Sequence, residues 1–299
     1  MSTTLLIDGG LGRVICAIPA LEKFVQNNPN TTIITYFWTP VIWGNKKLTP
    51  YVFDNNTKGL FEKIKDTKIS KPEPYYNNDY INQKIGLSDA FNQEINGNKD
   101  KMSVAKLYPS RSEMERGSKV RIGNKRAFVA IQPFGSTATI TDNDTSDPTA
   151  RSMSKNTIIS LIKRLRHENF GLYLMTDKTI PFLNREDFVD HYPTNVREIV
   201  STIANCDYFI GVDSSGQHIA RSFNKPGTVL LGGTPAINIS YPDFFNIIKF
   251  GIDDKYTSYR LCEFDNYLAE IENDSNLDLN KEQIQEFVEK TVQHLKKSI

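Results

Sequence analysis

Short apolar runs closed by glycine turns alternate along this chain with segments in which apolar residues recur at helical spacing. The first run, Thr4-Leu5-Leu6-Ile7, ends at Asp8 and meets the turn Gly9-Gly10-Leu11-Gly12-Arg13. Apolar residues then recur at Val14, Ile15, Ile18, Leu21 and Phe24-Val25, a helical pattern in which Pro19 predicts a kink or a start near that residue. Asn27-Asn28-Pro29-Asn30 stops the helix, and Thr32–Phe37 reads as a second strand. Strand, helix, strand is the opening of a parallel α/β sheet.

From Trp38 to Asn98 the pattern weakens. Tyr51-Val52-Phe53 suits a strand, Gly59–Lys65 and Leu87–Ile95 suit helices, and Lys71–Asn82 reads as a Tyr- and Pro-rich loop. The alternation restarts at Ala127–Pro133, followed by Phe134-Gly135-Ser136 and a polar aperiodic loop, Thr137–Thr149. A helix over Ser154–His167 with Ser154 as N-cap, a strand at Gly171–Met175 and a helix over Val196–Ala204 follow. Tyr208–Val212 is then a buried strand, Asp213-Ser214-Ser215-Gly216 a tight polar turn, and a helix opens at about Gln217-His218. Thr228–Leu231 and Ile247–Phe250 are further strands, and Asn280–Ser298 is a terminal helix.

The expected class is therefore α/β with two Rossmann-like halves. Residues 1–125 form the N-terminal domain and 126–299 the C-terminal one, divided in the Gly123-Asn124-Lys125-Arg126 turn. The terminal helix, 280–298, is a candidate to pack back on the N-terminal domain. A length of 299 residues suits two such domains. No run is apolar enough to span a membrane, and MSTTLLIDGG lacks the features of an export signal. Three scattered cysteines, Cys16, Cys206 and Cys262, suit reduced thiols in a cytoplasmic protein.

Net charge is +1, but unevenly placed. Nine basic residues face three acidic ones between Lys99 and Arg126, and eleven acidic face four basic ones between Asp253 and Lys290. The basic stretch is either a solvated surface or a lip over a polyanionic partner.

The chemistry concentrates in turns. Ser214, Ser215 and Gly216 lie at the carboxyl end of a strand and the amino end of a helix, where free N–H groups and the helix dipole hold an anion. Ordinary N-capping is the competing reading. Ser136 and Arg151 sit in turns of the same half, and together these groups suit a diphosphate. His218, at the helix start, is either a further contact or a packing residue. Asp142-Asn143-Asp144 spells the acidic triplet of metal-dependent sugar transferases, but it lies in a polar loop rather than after a strand, so no metal is expected. His167, His191 and His294 have no ligand-like neighbours in sequence.

The order Gly10-Leu11-Gly12 before Pro19-Ala20-Leu21, then QPFGS, then IANCDYFIGVDSSGQHIARSFNKPGTVLLGGT, resembles glycosyltransferase family 9, the heptosyltransferase-like group. The last motif, about thirty residues long, is the specific one. The resemblance implies a GT-B fold, with two Rossmann-like domains facing a central cleft, the donor site in the C-terminal domain, and no metal. It also implies a carboxylate just after the N-terminal glycine that acts as base. Arg13 stands there instead, and Asp8 is the nearest carboxylate and the candidate base. An Asx turn is the other reading of Asp8. Gly10, Gly12 and Arg13 are candidates for the acceptor side or a phosphate. The family's Lys followed by Trp-Pro becomes Arg151-Ser152-Met153, which keeps a phosphate-binding charge.

The expected function is a metal-independent inverting transfer of a sugar from a nucleotide-diphosphate sugar to an acceptor hydroxyl, with no cofactor. The acceptor is a saccharide such as a lipopolysaccharide core, or hydroxymethylated pyrimidine in bacteriophage DNA, which Lys99–Arg126 would suit. Alternatives are a nucleotide-sugar epimerase of the same fold and a non-catalytic nucleotide-sugar-binding module. Base and ribose contacts are expected in the loop after Met175, near Asp177.

Overall fold

The computed structural model describes residues 2–147, 149–184, 191–232, 234–250 and 277–299. It divides into two compact units, Met1–Ser110 and Arg111–Ile299.

The first unit opens with strand β1 (Thr3–Leu6) and helix α1 (Leu11–Asn27). It continues with β2 (Thr31–Ile34), a short α2 (Thr39–Ile42), β3 (Val52–Phe53), α3 (Leu60–Ile64), β4 (Lys68–Ser70), α4 (Asn78–Ile81) and α5 (Leu87–Asn96). All four strands are parallel, in the order β3-β2-β1-β4. Helix α1 starts at Leu11 and carries Pro19 inside it, rather than beginning near the proline. Burial explains this: Leu11, Val14, Ile15, Ile18, Leu21 and Val25 are all buried, and their shared apolar face keeps the segment helical across the backbone hydrogen bond that Pro19 cannot make. Helix α5 packs along α1 with Leu87, Ala90 and Phe91 buried.

The second unit begins with α6 (Arg111–Lys119) and continues with β5 (Phe128–Gln132), the hairpin β6 (Thr139–Ile140) and β7 (Thr145–Ser146), and α7 (Lys155–His167). Then come β8 (Gly171–Leu174), α8 (Val196–Asn205), β9 (Tyr208–Gly211), α9 (Ser215–Ser222), β10 (Gly227–Leu231), α10 (Ala236–Ile239), β11 (Asn246–Lys249) and α11 (Lys281–Ser298). The main sheet is parallel, in the order β11-β10-β9-β5-β8. Its central strands are buried except at Gln132 and largely apolar on both faces, as expected of a sheet covered by helices.

The division falls at Ser110/Arg111, not in the Gly123–Arg126 turn. Helix α6 packs on α8: Arg197 donates to both oxygens of Glu113 at 2.8 and 2.6 Å, and Asn205 Nδ2 donates to the Met114 carbonyl at 3.3 Å. Arg121 then holds Asp207 through two bonds, 3.0 and 2.9 Å. These long-range polar bonds tie residues 111–121 to the second unit. Helix α11 packs on α7 and on β9–β11, placing Phe287, Val288, Val292 and Leu295 in one core with Leu161, Leu165 and Leu230. The apolar face of the terminal helix is thus filled within its own unit. Cys16 and Cys206 are buried, and burial pushes the Cys206 thiol up to about 12; Cys262 lies outside the described residues. Among the described residues, no helix is long and apolar enough to cross a membrane.

Candidate functional site

Each sheet has one place where its chain order reverses. In the first unit the chain runs outward from β1 to β2 and β3, then returns to place β4 on the other side of β1. In the second unit β8 lies on one side of β5, while β9, β10 and β11 build outward from the other. Crossovers diverge at β1/β4 and at β5/β9, and open α/β sheets bind ligands beyond the carboxyl ends of the strands at such points.

At β1/β4 the turn after β1 carries Asp8, and the turn after β4 carries Lys71 and Glu73. Gly9 has φ +83°, a conformation only glycine adopts without strain, and a Cβ on it would lie 2.9 Å from Arg13 Cδ. The turn is held from outside by Trp38, whose Nε1 donates to the Gly9 carbonyl at 2.9 Å. Arg13 is buried and grips both Glu73 oxygens at 3.0 Å, while its Nη2 also donates to the Pro72 carbonyl at 3.0 Å. The same nitrogen lies 3.3 Å from Asp8 Oδ1, and Lys71 Nζ lies 2.6 Å from Asp8 Oδ2. Tyr75 and Phe91 flank the guanidinium at 5.1 and 5.6 Å from their ring centres. Burial opposes the Arg13 charge, but the hydrogen bond to Glu73 and the fields of Tyr75, Glu73 and Asp8 more than offset it, so its pKa is raised. Lys71 is also raised, chiefly by its hydrogen bond to Asp8. Gly10 is the N-cap of α1 and has no side chain to cap it, and Gly12 lies in the first turn.

At β5/β9 the groups are different. Helix α9 begins at Ser215, two or three residues before the sequence pattern suggested, with Ser214 as N-cap in extended conformation. The Ser214 side chain makes no capping hydrogen bond. By contrast, α7, α8 and α11 are capped by the side chains of Ser154, Asn195 and Asn280. The N–H of Gly216 donates instead to Gln132 Oε1, at 2.6 Å, and Gln132 Nε2 lies 3.5 Å from Ser215 Oγ. Asp213, just before the turn, accepts from Thr234 Oγ1 at 3.1 Å. His218 is buried; its Nδ1 shares a 3.0 Å hydrogen bond with Tyr241 Oη, and the two rings meet edge to face.

The loop after β5 is organised by Asp147, a fully buried carboxylate. Its Oδ1 accepts from Thr137 Oγ1 at 2.7 Å, Thr149 N at 2.9 Å and Thr149 Oγ1 at 2.6 Å, and its Oδ2 accepts from Ser152 Oγ at 2.5 Å. Ser152 Oγ in turn accepts from Gly135 N at 3.0 Å. Burial works to raise the Asp147 pKa, but hydrogen bonds from Ser152, Thr149 and Thr137 outweigh it and hold the carboxyl below its ordinary value. The loop holds Ser136 exposed and Arg151 buried, with Arg151 Nε donating to Thr149 Oγ1 at 2.8 Å.

Within each unit the residues singled out from sequence fall at the switch point or in its loops. Asp8, Gly10, Gly12 and Arg13 gather at the first; Ser214, Ser215 and Gly216 gather at the second, with Ser136 and Arg151 in the adjoining loop. Sequence reasoning missed Lys71, Glu73, Gln132 and Asp147. Only the strand order brings the first three to the switch points. Asp144 is structural: its Oδ1 accepts from Thr145 N and Lys155 N at 2.7 and 3.1 Å, tying the β6–β7 hairpin to the start of α7. Among the described residues no three His, Cys, Asp or Glu side chains come together as a metal-binding group. Among the described residues, four of the nine basic residues in Lys99–Arg126 are ion-paired, Lys99 with Asp79, Arg111 with Glu115, Arg121 with Asp207 and Arg126 with Glu168.

Two parallel sheets, each with a polar turn at its switch point, define an open, parallel α/β architecture. No family model matches the chain, and no curated protein matches its sequence. Solved structures match it over nearly its whole length. It is similar to a family 9 glycosyl transferase from Veillonella parvula, with 12% identity, 98% of this chain and 96% of that one covered, and a TM-score of 0.62. The ADP-heptose lps heptosyltransferase II of E. coli matches at 11% identity, 99% of each chain and a TM-score of 0.58. The dodecameric iron-containing heptosyltransferase TibC, in complex with ADP-D-β-D-heptose, matches at 14% identity, 99% of this chain and 74% of that one, with a TM-score of 0.62. The chain therefore has the fold of the GT-B heptosyltransferases.

Proposed function

We propose that the chain is a glycosyltransferase that takes a nucleotide-diphosphate sugar and moves the sugar to an acceptor hydroxyl, with inversion and without a metal. The observation that carries this reading is the N-terminus of α9, which opens at the β5/β9 switch point with a serine N-cap that makes no cap. N–H groups that the serine leaves uncapped, one of them held only by the neutral Gln132 carboxamide, and the positive end of a helix dipole suit an anion, and a diphosphate is the anion a sugar donor brings. The likeness of fold to heptosyltransferases, one of them bound to ADP-heptose, supports the same reading.

In this reading Ser136, Arg151, Ser214, Ser215 and Gly216 hold the diphosphate and stabilise its charge as it leaves. His218, buried and hydrogen-bonded to Tyr241, is a further contact to the diphosphate in this reading. Asp8 accepts the proton of the attacking hydroxyl, while Gly10, Gly12 and Arg13 shape the acceptor side. Base and ribose contacts come from the loop after Met175. The acceptor we carry forward is a saccharide hydroxyl. The pairing of Lys99, Arg111, Arg121 and Arg126 with carboxylates removes much of the charge that made DNA attractive.

The test is incubation with a panel of ADP-, GDP- and UDP-sugars and saccharide acceptors, followed by mass spectrometry. Transfer, retained in the presence of a chelator, supports the proposal. An isomerised donor points to an epimerase, and tight binding with no turnover points to a binding module; either outcome overturns it. Acceptor binding that falls steeply with salt would return DNA to the front.

A further inference from the structure

The N-terminus of α9 is not vacant of hydrogen-bond partners. Gln132 is the last residue of β5, paired in register with Gly211 of β9, and this register delivers its carboxamide to the neighbouring turn. There Oε1 accepts from Gly216 N at 2.6 Å. The fit requires glycine: a Cβ at 216 would come within 2.4 Å of Gln132 Oε1 and 2.8 Å of the Phe209 ring. The position thus joins a short, aimed hydrogen bond with a neutral acceptor at a helix end that favours a negative one.

We propose that the Gln132 carboxamide is the resident occupant of this anion site and is exchanged for the ligand, which makes Gln132 a specificity-determining residue. The inference rests on the anion-binding reading given under Proposed function. A neutral carbonyl on a helix N-terminal N–H is a replaceable partner. A phosphate oxygen displaces it because charge-assisted hydrogen bonds are roughly twice as strong as neutral ones. A sugar hydroxyl or another neutral group has no such advantage. The site therefore selects for charge before any contact to sugar or base is made.

Exchange and simple support predict opposite signs. If the carboxamide competes with the ligand, removing it raises the fraction of sites ready to bind. Losing one neutral hydrogen bond then tightens binding about threefold to tenfold. If Gln132 only braces the turn, or donates to the ligand, its removal weakens binding. Gln132→Glu makes the occupant permanent: a carboxylate at the helix start is held more firmly and repels an incoming anion.

The experiment is calorimetric titration of wild type, Gln132→Ala, Gln132→Met and Gln132→Glu with ADP, GDP and UDP, beside the melting temperature of each protein without ligand. Gln132→Met keeps the side-chain volume and so covers any collapse of the turn in Gln132→Ala. Expected results are tighter binding by both Ala and Met variants. The Glu variant should bind at least about 30-fold more weakly while melting at or above wild type. Weaker binding by both Ala and Met variants, or unchanged binding by the Glu variant, overturns the inference while leaving the anion site standing. No binding of any of the three nucleotides by wild type overturns the anion site itself, and this inference with it.

Discussion

At the β1/β4 switch point two carboxylates and two cations close on one another, Arg13 on Glu73 and Asp8, Lys71 on Asp8. At the β5/β9 switch point the helix opening meets hydroxyls, a carboxamide and backbone N–H groups. The first site brings its own balanced charge; the second presents the positive end of a helix to a neutral partner. An arriving anion is better matched by the second, and a group that needs a nearby carboxylate by the first. The proposed division of labour between donor and acceptor chemistry rests on that contrast.

The contrast is broken most severely by removing Arg13. Truncating it to alanine strands Glu73 and the buried edge of Asp8, and it empties the space between Tyr75 and Phe91. A loss of about 2–3 kcal/mol is expected, because the half-buried carboxylates lose the buried cation they are bonded to. Denaturant unfolding measures it, and a change under about 1 kcal/mol would show that the Arg13 pairs contribute no more than exposed ones do.

Asp8→Asn should spare the fold and lower transfer about 10²–10⁴-fold with little change in nucleotide affinity. Steady-state kinetics beside calorimetry separates the two. Near wild-type turnover would remove Asp8 from the chemistry.

Asp147→Asn tests the second site's scaffold. It should cost about 2 kcal/mol and weaken nucleotide binding through the loop that carries Ser136 and Arg151. The Asp147 pKa is depressed in the folded protein. Its contribution is therefore complete above the unfolded value near 4 and is lost as pH falls through the folded one. The acid limb of the stability curve should flatten in the variant. An unaltered limb would place the acid sensitivity elsewhere.

The smallest expected effect lies away from both sites. His294 is held below its ordinary pKa by burial, then by Lys297, and its Nδ1 shares a 2.6 Å hydrogen bond with Tyr208 Oη. A lowered histidine pKa means stability is complete above about 6.5 and declines as pH falls. His294→Gln should reduce that decline slightly between pH 7 and 5 in thermal melts.

The strands that define the second site, β5, β9 and β10, were legible as uninterrupted apolar runs, and the turns at Asp8 and Ser214–Gly216 as polar breaks after them. Strand β4 was not. Lys68-Ile69-Ser70 has one apolar residue, and its pairing with Thr3–Leu5 of β1 is what makes it a strand. Without β4 the first switch point, and with it Lys71 and Glu73, could not be placed. Helix α6 was missed for a related reason: only Gly117 is buried on it, so no apolar period marks it. Its tie to α8 is made by Glu113 and Arg197, far apart in sequence. Gln132 read as the end of a strand, and nothing local tells that its carboxamide reaches Gly216.

The central claim is that the donor diphosphate sits at the start of α9, and backbone amide shifts on titration with ADP, GDP and UDP test it most directly. The account predicts the largest shifts at Ser215 and Gly216, with Gly135 and Ser136 next. Largest shifts at Leu11 and Gly12, with Ser215 and Gly216 unmoved, would contradict it.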